Sequence, residues 1–103
     1  ITENGIGAND TLEPDGCIHD QYRIDFIQKH LHQIRLAITD GVEMLGYCPW
    51  AAIDVVSTHQ GYKKRYGFIY VDRDEFDLKE LKRYKKDSFY WYKQIIEENG
   101  KNI

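Results

Sequence analysis

The sequence predicts an α/β fold with parallel strands, and three successive features support this prediction. A short strand remnant, Ile1–Thr2, runs into the turn Glu3–Gly5. A segment with helical spacing of its apolar residues follows. The apolar run Val42–Trp50 then has the composition of a second strand. Strand, loop, helix and strand in this order are the βαβ pattern of a parallel sheet.

The first helix is expected to begin near His19–Asp20, where the Asp20 carboxylate can accept hydrogen bonds from amides of the first turn. Its apolar stripe consists of Ile24, Ile27, Leu31, Ile34 and Ile38. The helix should end at Asp40–Gly41, with the glycine in the usual position beyond the last turn. The strand Val42–Trp50 is mostly apolar rather than alternating, so we expect it to be covered on both faces.

The second half of the chain is organised around the stretch Trp50–Gly67, which begins as an apolar strand, becomes a polar loop and ends in a basic cluster. Phe68–Val71 is a short extended piece, and Asp72–Lys86 is ambiguous between a loop and a short helix. A final helix is expected over Asp87–Asn99, with Gly100 as its stop. Two βα units are too few for a complete barrel, because a (β/α)₈ barrel takes at least roughly 200 residues.

Composition excludes several classes of function. The 103 residues form one domain at most, with 42% hydrophobic residues and a net charge of −3. This small charge does not suit a nucleic-acid partner, and no apolar run is long enough for a membrane span. The four histidines show no metal-ligand spacing, and no cofactor motif occurs. Cys17 and Cys48 are expected to be free thiols in a reducing compartment, which favours the cytoplasm.

Four side chains of the central stretch suit a ring-shaped, anionic ligand. Trp50 offers a face for stacking, and Ser57 and Tyr66 offer hydrogen bonds. Lys64 supplies a point charge for a phosphate. Taken singly, each also fits a purely structural role, since Trp50 could be a core tryptophan and the other three could be ordinary loop residues. Glu3, at the end of a strand, is likewise either a catalytic carboxylate or a solvated loop acid.

Taken together, the motifs resemble the C-terminal part of the family 1 glycoside hydrolases, in that family's order and spacing. They are Ile1-Thr2-Glu3-Asn4-Gly5, Asp40-Gly41-Val42, Gly46-Tyr47, Trp50, Gly61-Tyr62, Arg65-Tyr66-Gly67, Ser88 and Trp91-Tyr92. The resemblance covers essentially the whole chain. It implies that residues 1–103 are the C-terminal portion of a single (β/α)₈ TIM-barrel domain, about strands seven and eight with their helices. It also implies that Glu3 is the nucleophile.

The central stretch then indicates a subgroup. Family members that act on unphosphorylated glucosides carry a glutamate where this chain has Ser57, and that glutamate binds sugar hydroxyls. Family members that act on 6-phospho-glycosides resemble this chain instead, with a lysine seven positions on and a tyrosine nine on, which match Lys64 and Tyr66. Thr58 replaces the tryptophan of the 6-phospho-β-galactosidases. The resemblance therefore favours a 6-phospho-β-glucosidase, with Trp50 as the sugar platform and a phosphorylated β-glucoside as substrate.

The resemblance also implies that this chain lacks one of the two catalytic carboxylates. The family's acid/base glutamate belongs to an N-E-P motif, which this chain lacks, so we expect it upstream of Ile1 and expect the chain alone to be inactive. Glu97 and Glu98 lie on the last helix, far in sequence from the loops. His59 could face the phosphate, but a surface loop histidine is the simpler interpretation. An alternative remains, a non-catalytic, self-associating fragment or module with at most weak sugar-phosphate binding. Within the family, the alternative is a 6-phospho-β-galactosidase.

Overall fold

A computed structural model of the protein describes residues 1–103. It contains two helices and two short strands in the order α1, β1, β2, α2. Their bounds are Gln21–Thr39 for α1, Ile69–Val71 for β1, Arg83–Lys85 for β2 and Asp87–Glu97 for α2. The two strands pair antiparallel, with Tyr70 opposite Tyr84.

The first residues of the chain and residues 48–50 lie side by side as parallel extended segments, and α1 connects them. The amide of Cys48 donates to the carbonyl of Ile1 at 3.0 Å, and the amide of Asn4 donates to the carbonyl of Cys48 at 3.2 Å. The amide of Trp50 continues the ladder with a bond of 2.7 Å to the carbonyl of Asn4. Asn4 and Pro49 form a parallel bridge, so the predicted βαβ unit is confirmed.

The strand predicted over Val42–Trp50 is much shorter than expected. Only its end, at Pro49, takes part in a bridge, and residues 42–48 form no strand. The expectation that both faces are covered is wrong in this chain, since 50% of Val42 and 94% of Leu45 are exposed. The reason is that an apolar run pairs as a strand only where a neighbouring segment meets it. Here the first segment bonds to Gly46, Cys48 and Trp50, and it does not reach residues 42–45.

For the region Asp72–Lys86 the sequence allows either a loop or a short helix. In the structure the end of this region forms strand β2. Its three residues alternate between exposed and half-buried, with Tyr84 facing inward. The sequence of β2 carries two charges and no apolar run, because an edge strand exposes most of its surface. Pairing with β1, a non-local interaction, decides this element.

The helices begin and end near the predicted residues. Gly41, with φ of 98°, lies just beyond α1 in the left-handed conformation that favours glycine. Helix α2 ends at Glu97, two residues earlier than expected, and Asn99 and Gly100 both turn out of it with positive φ. Neither helix combines the length and apolar character that crossing a membrane requires.

A small apolar core lies between α1, the strands and α2. The side chains of Ile18 and Ile27 are almost fully buried, and Phe68 packs parallel to Tyr92 with ring centroids 4.9 Å apart. The other buried apolar residues are Ile24, Ala51, Tyr70 and Val71. This core is small for the size of the chain, so charged groups make up a large part of the interior.

Asp20 does not cap α1 as expected. Its side chain accepts no backbone amide of the first turn of that helix. Its carboxylate instead accepts the backbone amide of Ser88 at 2.9 Å, within the first turn of α2, together with the Ser88 hydroxyl. Asp20 therefore caps the other helix, because the packing of α2 beside it brings orphan amides within reach of a fully buried carboxylate.

Six buried charged side chains form one connected network, and their formal charges cancel. The carboxylates are Asp10, Asp20 and Asp54, and the cations are Arg23, Arg65 and Lys86. Each of these side chains is at most 7% exposed. Burial disfavours the charge on Arg23, but the neighbouring carboxylates Asp10 and Asp20 outweigh this and raise its pKa above its ordinary value.

Asp54 accepts four hydrogen bonds. Its carboxylate accepts from Arg65 at 2.9 Å and from the ammonium of Lys86 at 2.7 Å. It also accepts the backbone amides of Gly67 and Val71, at 3.0 and 3.3 Å. Asp54 thus joins the start of the central stretch to its end, to β1 and to the entry of α2.

We expect Asp54→Asn to lower the free energy of unfolding by about 3 kcal/mol or more, because it leaves Arg65 and Lys86 buried with an incomplete set of partners. Urea denaturation of the purified protein measures this. The control is Asp25→Asn on the exposed side of α1, where the change should stay within about 0.5 kcal/mol. Equal effects of the two substitutions would contradict the importance assigned to the network.

Candidate functional site

Four of the five predicted site residues line one cavity of about 220 Å³. The cavity is lined by Glu3, Trp50, Val56, Ser57, Thr58 and Tyr66. The expected nucleophile, the expected sugar platform and two of the three expected phosphate ligands therefore come together. Two residues that the sequence did not propose as wall residues, Val56 and the subgroup marker Thr58, complete the lining.

The cavity exists because the central stretch folds back on itself. The amide of Ala51 donates to the carbonyl of Tyr66 at 3.0 Å, and the amide of Phe68 donates to the carbonyl of Ala51 at the same distance. These bonds place the residues beside Trp50 next to the residues beside Tyr66. The hydrogen bond from the amide of Trp50 to the carbonyl of Asn4 brings the segment that carries Glu3 to the same place.

The Glu3 side chain is exposed at the end of the first extended segment. The next residue is held firmly, since the Tyr47 hydroxyl donates to the side-chain carbonyl of Asn4 at 2.8 Å. Burial raises the pKa of Tyr47 to about 12, so this donor stays protonated near neutral pH. At Gly5 a Cβ atom would lie 1.9 Å from the carbonyl oxygen of Trp50, and only glycine allows this close approach.

Ser57 begins a tight turn that closes on Gly61. The backbone of Ser57 exchanges two hydrogen bonds with that of Gly61, at 2.8 and 3.1 Å. The Ser57 hydroxyl oxygen accepts the amide of Gln60 at 3.3 Å. Its own proton has no acceptor in the protein, so the hydroxyl can donate to a ligand in the cavity.

Lys64 is the one predicted site residue that does not line the cavity. Its ammonium lies 5.6 Å from the centre of the Tyr66 ring, which does line it. The ammonium makes no ion pair or hydrogen bond within the chain, unlike the buried Lys86. A half-buried, unneutralised cation beside the cavity wall is available to an anion bound there.

Gly7, which sequence reasoning missed as part of the site, supports Tyr66 and Lys64 from below. A Cβ atom on Gly7 would lie 2.6 Å from the Tyr66 ring and 2.9 Å from Cγ of Lys64. Both side chains therefore pack directly on the glycine backbone. A sequence signal existed, because Gly7 follows Gly5 closely where the chain leaves its first strand, but the contact itself is not local.

Asp54 and Arg65 are further residues that the sequence did not mark as part of the site. Arg65 lies between Lys64 and Tyr66, and its guanidinium is bound to Asp54, to the carbonyl of Val71 at 2.6 Å and to the carbonyl of Arg73. The signal for Asp54 was a single acid inside an apolar run, which usually requires a buried partner.

The combined chemistry of the cavity suits a sugar phosphate. It presents one carboxylate, an aromatic side chain that is 47% exposed, a hydroxyl and a phenol, with an ammonium nearby. No second carboxylate lines it, and neither Glu97 nor Glu98 belongs to its wall. No group of three or more histidine, cysteine or acidic side chains is arranged to hold a metal ion.

Comparison with known proteins gives close relatives over the whole chain. The family model described as Glycosyl hydrolase family 1 matches residues 1–101. The aryl-phospho-β-D-glucosidase BglC of Bacillus subtilis is 53% identical over 103 residues, which are 100% of this chain and 21% of that protein. The phospho-cellobiase of Klebsiella oxytoca is 52% identical over 104 residues, with 100% and 22% covered.

The solved structures agree. A family 1 β-glucosidase from Thermotoga maritima superposes with a TM-score of 0.90 at 41% identity, over 100% of this chain and 22% of that one. The chain thus spans 21% to 22% of the length of these relatives. The structural relatives are TIM barrels, so the expected fold class, an α/β portion of a (β/α)₈ barrel, is confirmed. With a matching family model over nearly every residue and identities above half, this chain belongs to glycosyl hydrolase family 1.

Proposed function

We propose that the full-length protein is a retaining glycosidase that hydrolyses 6-phospho-β-D-glucosides to glucose 6-phosphate and an aglycone. The observation that carries this proposal is the convergence of Glu3, Trp50, Ser57 and Tyr66 on one cavity, with the Lys64 ammonium beside it. The names of close relatives support the same substrate class, since they are phospho-β-glucosidases and a phospho-cellobiase. Residues 1–103 would form the C-terminal portion of one barrel domain.

Glu3 would act as the nucleophile. Its carboxylate attacks the anomeric carbon, and the glycosidic bond to the aglycone breaks as a covalent glycosyl-enzyme forms. A second glutamate, outside this chain, would protonate the leaving oxygen and then take a proton from the water that releases the sugar. The two carboxyl groups of a retaining enzyme lie roughly 5 Å apart. The cavity supplies only one of them.

Trp50 would stack against the sugar ring, and the phosphate would lie beside Ser57 and Tyr66. There the Ser57 hydroxyl and the Tyr66 phenol can donate, and Lys64 supplies the attraction. A carboxylate at position 57 would repel the phosphate, whereas a hydroxyl does not. Thr58 lines the same wall and leaves room that a tryptophan would fill, which favours the glucoside over the galactoside.

We place the protein in the cytoplasm and assign it no nucleic-acid or membrane partner. Both cysteines are unpaired, and Cys48 is exposed, which supports a reducing compartment. A phosphorylated substrate is compatible with this location, because the phosphate's charge keeps such a sugar in the compartment where it is formed.

A second candidate is a non-catalytic module that self-associates. The exposed apolar side chains favour it, since Leu45 is 94% exposed and Ile96 is 64% exposed. Sedimentation of the isolated 103-residue chain tests it. A monomer at high concentration would remove this candidate, and association together with turnover in the longer protein would favour the enzyme.

Lys64→Ala in the full-length protein should raise KM for a 6-phospho-β-glucoside at least about tenfold, because a charge-assisted contact to the phosphate is lost. KM for the plain β-glucoside should change little. Steady-state kinetics on both substrates measure the difference. Lys63→Ala, an exposed neighbour that lines no part of the cavity, is the control and should leave both values unchanged. A similar rise for both substrates would contradict the phosphate pocket.

Gly7→Ala should reduce kcat/KM for the phosphorylated substrate about tenfold or more, because its methyl group would displace the Tyr66 ring and the Lys64 stem. Gly46→Ala is a matched control, since nothing lies within 4 Å of a Cβ atom at that position. The same kinetic assay compares the two variants. If both variants behave like the unsubstituted protein, the packing of the pocket on Gly7 is not functional.

The isolated 103-residue chain should show no hydrolysis of 6-phospho-β-glucosides, because its cavity lacks the acid/base carboxylate. A turnover assay with the purified chain measures this, with the full-length protein as the positive control. Clear turnover by the chain alone would overturn the assignment of the acid/base residue to another part of the protein.

A further inference from the structure

The turn that carries Ser57 is closed by hydrogen bonds among its own residues. Ser57 and Gly61 exchange two amide–carbonyl hydrogen bonds, and Gln60 donates to the Ser57 hydroxyl oxygen at 3.3 Å. No side chain within the turn anchors it to the rest of the protein. The position of the Ser57 hydroxyl therefore depends on how the residues on both sides of the turn are held. Asp54 holds the preceding side.

Glu75, from the loop between β1 and β2, supplies that anchor. One carboxylate oxygen accepts the backbone amide of Tyr62 at 2.8 Å. The same carboxylate covers Gly61, where a Cβ atom would lie 2.3 and 2.4 Å from its two oxygens. Gly61 has a φ of 65°, so both the conformation and the close contact require glycine there.

The segment around Glu75 is itself fixed. The Arg73 guanidinium stacks on the Tyr62 ring at 3.9 Å and donates to the carbonyl of Glu75 at 2.8 Å. The carbonyl of Arg73 in turn accepts from the buried Arg65 at 2.9 Å. A continuous set of contacts thus runs from the buried charge network through Glu75 to the base of the Ser57 turn.

We propose that Glu75 is a positioning residue, which sets the Ser57 hydroxyl for the substrate phosphate by holding the base of the Ser57–Gly61 turn. This inference rests on the proposed function. Glu75 does not line the cavity and does not touch the substrate itself. Its carboxylate has no ion-pair partner, so its role is to accept the Tyr62 amide rather than to neutralise a cation.

The experiment uses the full-length protein with three substitutions: Glu75→Ala, Glu75→Gln and Asp74→Ala. Glucose 6-phosphate and glucose serve as competitive inhibitors of hydrolysis, and the ratio of their inhibition constants reports recognition of the phosphate. Glu75→Ala should weaken glucose 6-phosphate about tenfold with little effect on glucose. Glu75→Gln retains a carbonyl acceptor and should restore most of this loss. Asp74→Ala, whose only side-chain partner is a distant Lys79, is the control.

The outcomes separate this inference from the proposed function. If the unsubstituted protein does not distinguish glucose 6-phosphate from glucose, the phosphosugar assignment itself fails. If it does distinguish them and Glu75→Ala keeps the preference, Glu75 has no positioning role. Equal weakening of both inhibitors, failure of Glu75→Gln to restore binding, or tighter phosphate binding in both Glu75 variants would each also overturn the inference.

Discussion

The buried pairing of Asp54 with Arg65 and Lys86 is the interaction on which the rest of the structure depends. Removing three charges from water is costly, and their mutual attraction compensates only when the geometry is good and the remaining hydrogen-bonding capacity is used. Here Asp54 also accepts the amides of Gly67 and Val71, so its carboxylate is fully occupied. A buried network of this kind holds one arrangement of the backbone because any other leaves a charge without a partner.

This constraint has a direct consequence for the site. Asp54 lies on the outgoing arm of the central stretch, and Arg65 lies on the returning arm. Fixing the two arms together brings Trp50 and Tyr66 to the same cavity, although sixteen positions separate them. The side chains that would contact substrate are exposed or half-buried, and those that hold them are buried. Precision at the surface thus comes from charges in the interior.

Glycines also shape the cavity, since they let backbone and side chains approach each other closely. Gly5 meets the carbonyl of Trp50, and Gly7 lies against the ring of Tyr66. Gly67 lies against the backbone of Asp54, where a Cβ atom would come within 2.3 Å of its amide nitrogen. The cavity is therefore built partly from residues without side chains, which a search for reactive groups in the sequence overlooks.

By itself, the sequence determined the βαβ order, both helices and the set of residues expected at the site. These features can be recognised in the sequence because apolar periodicity, turn residues and the spacing of a motif all depend on the order of residues along the chain. Only the tertiary structure decided that Asp20 caps α2, that Arg83–Lys85 forms a strand despite its two charges, and that Leu45 stays exposed. Each of these depends on a neighbour distant in sequence, since capping, strand pairing and burial belong to a contact and not to a residue.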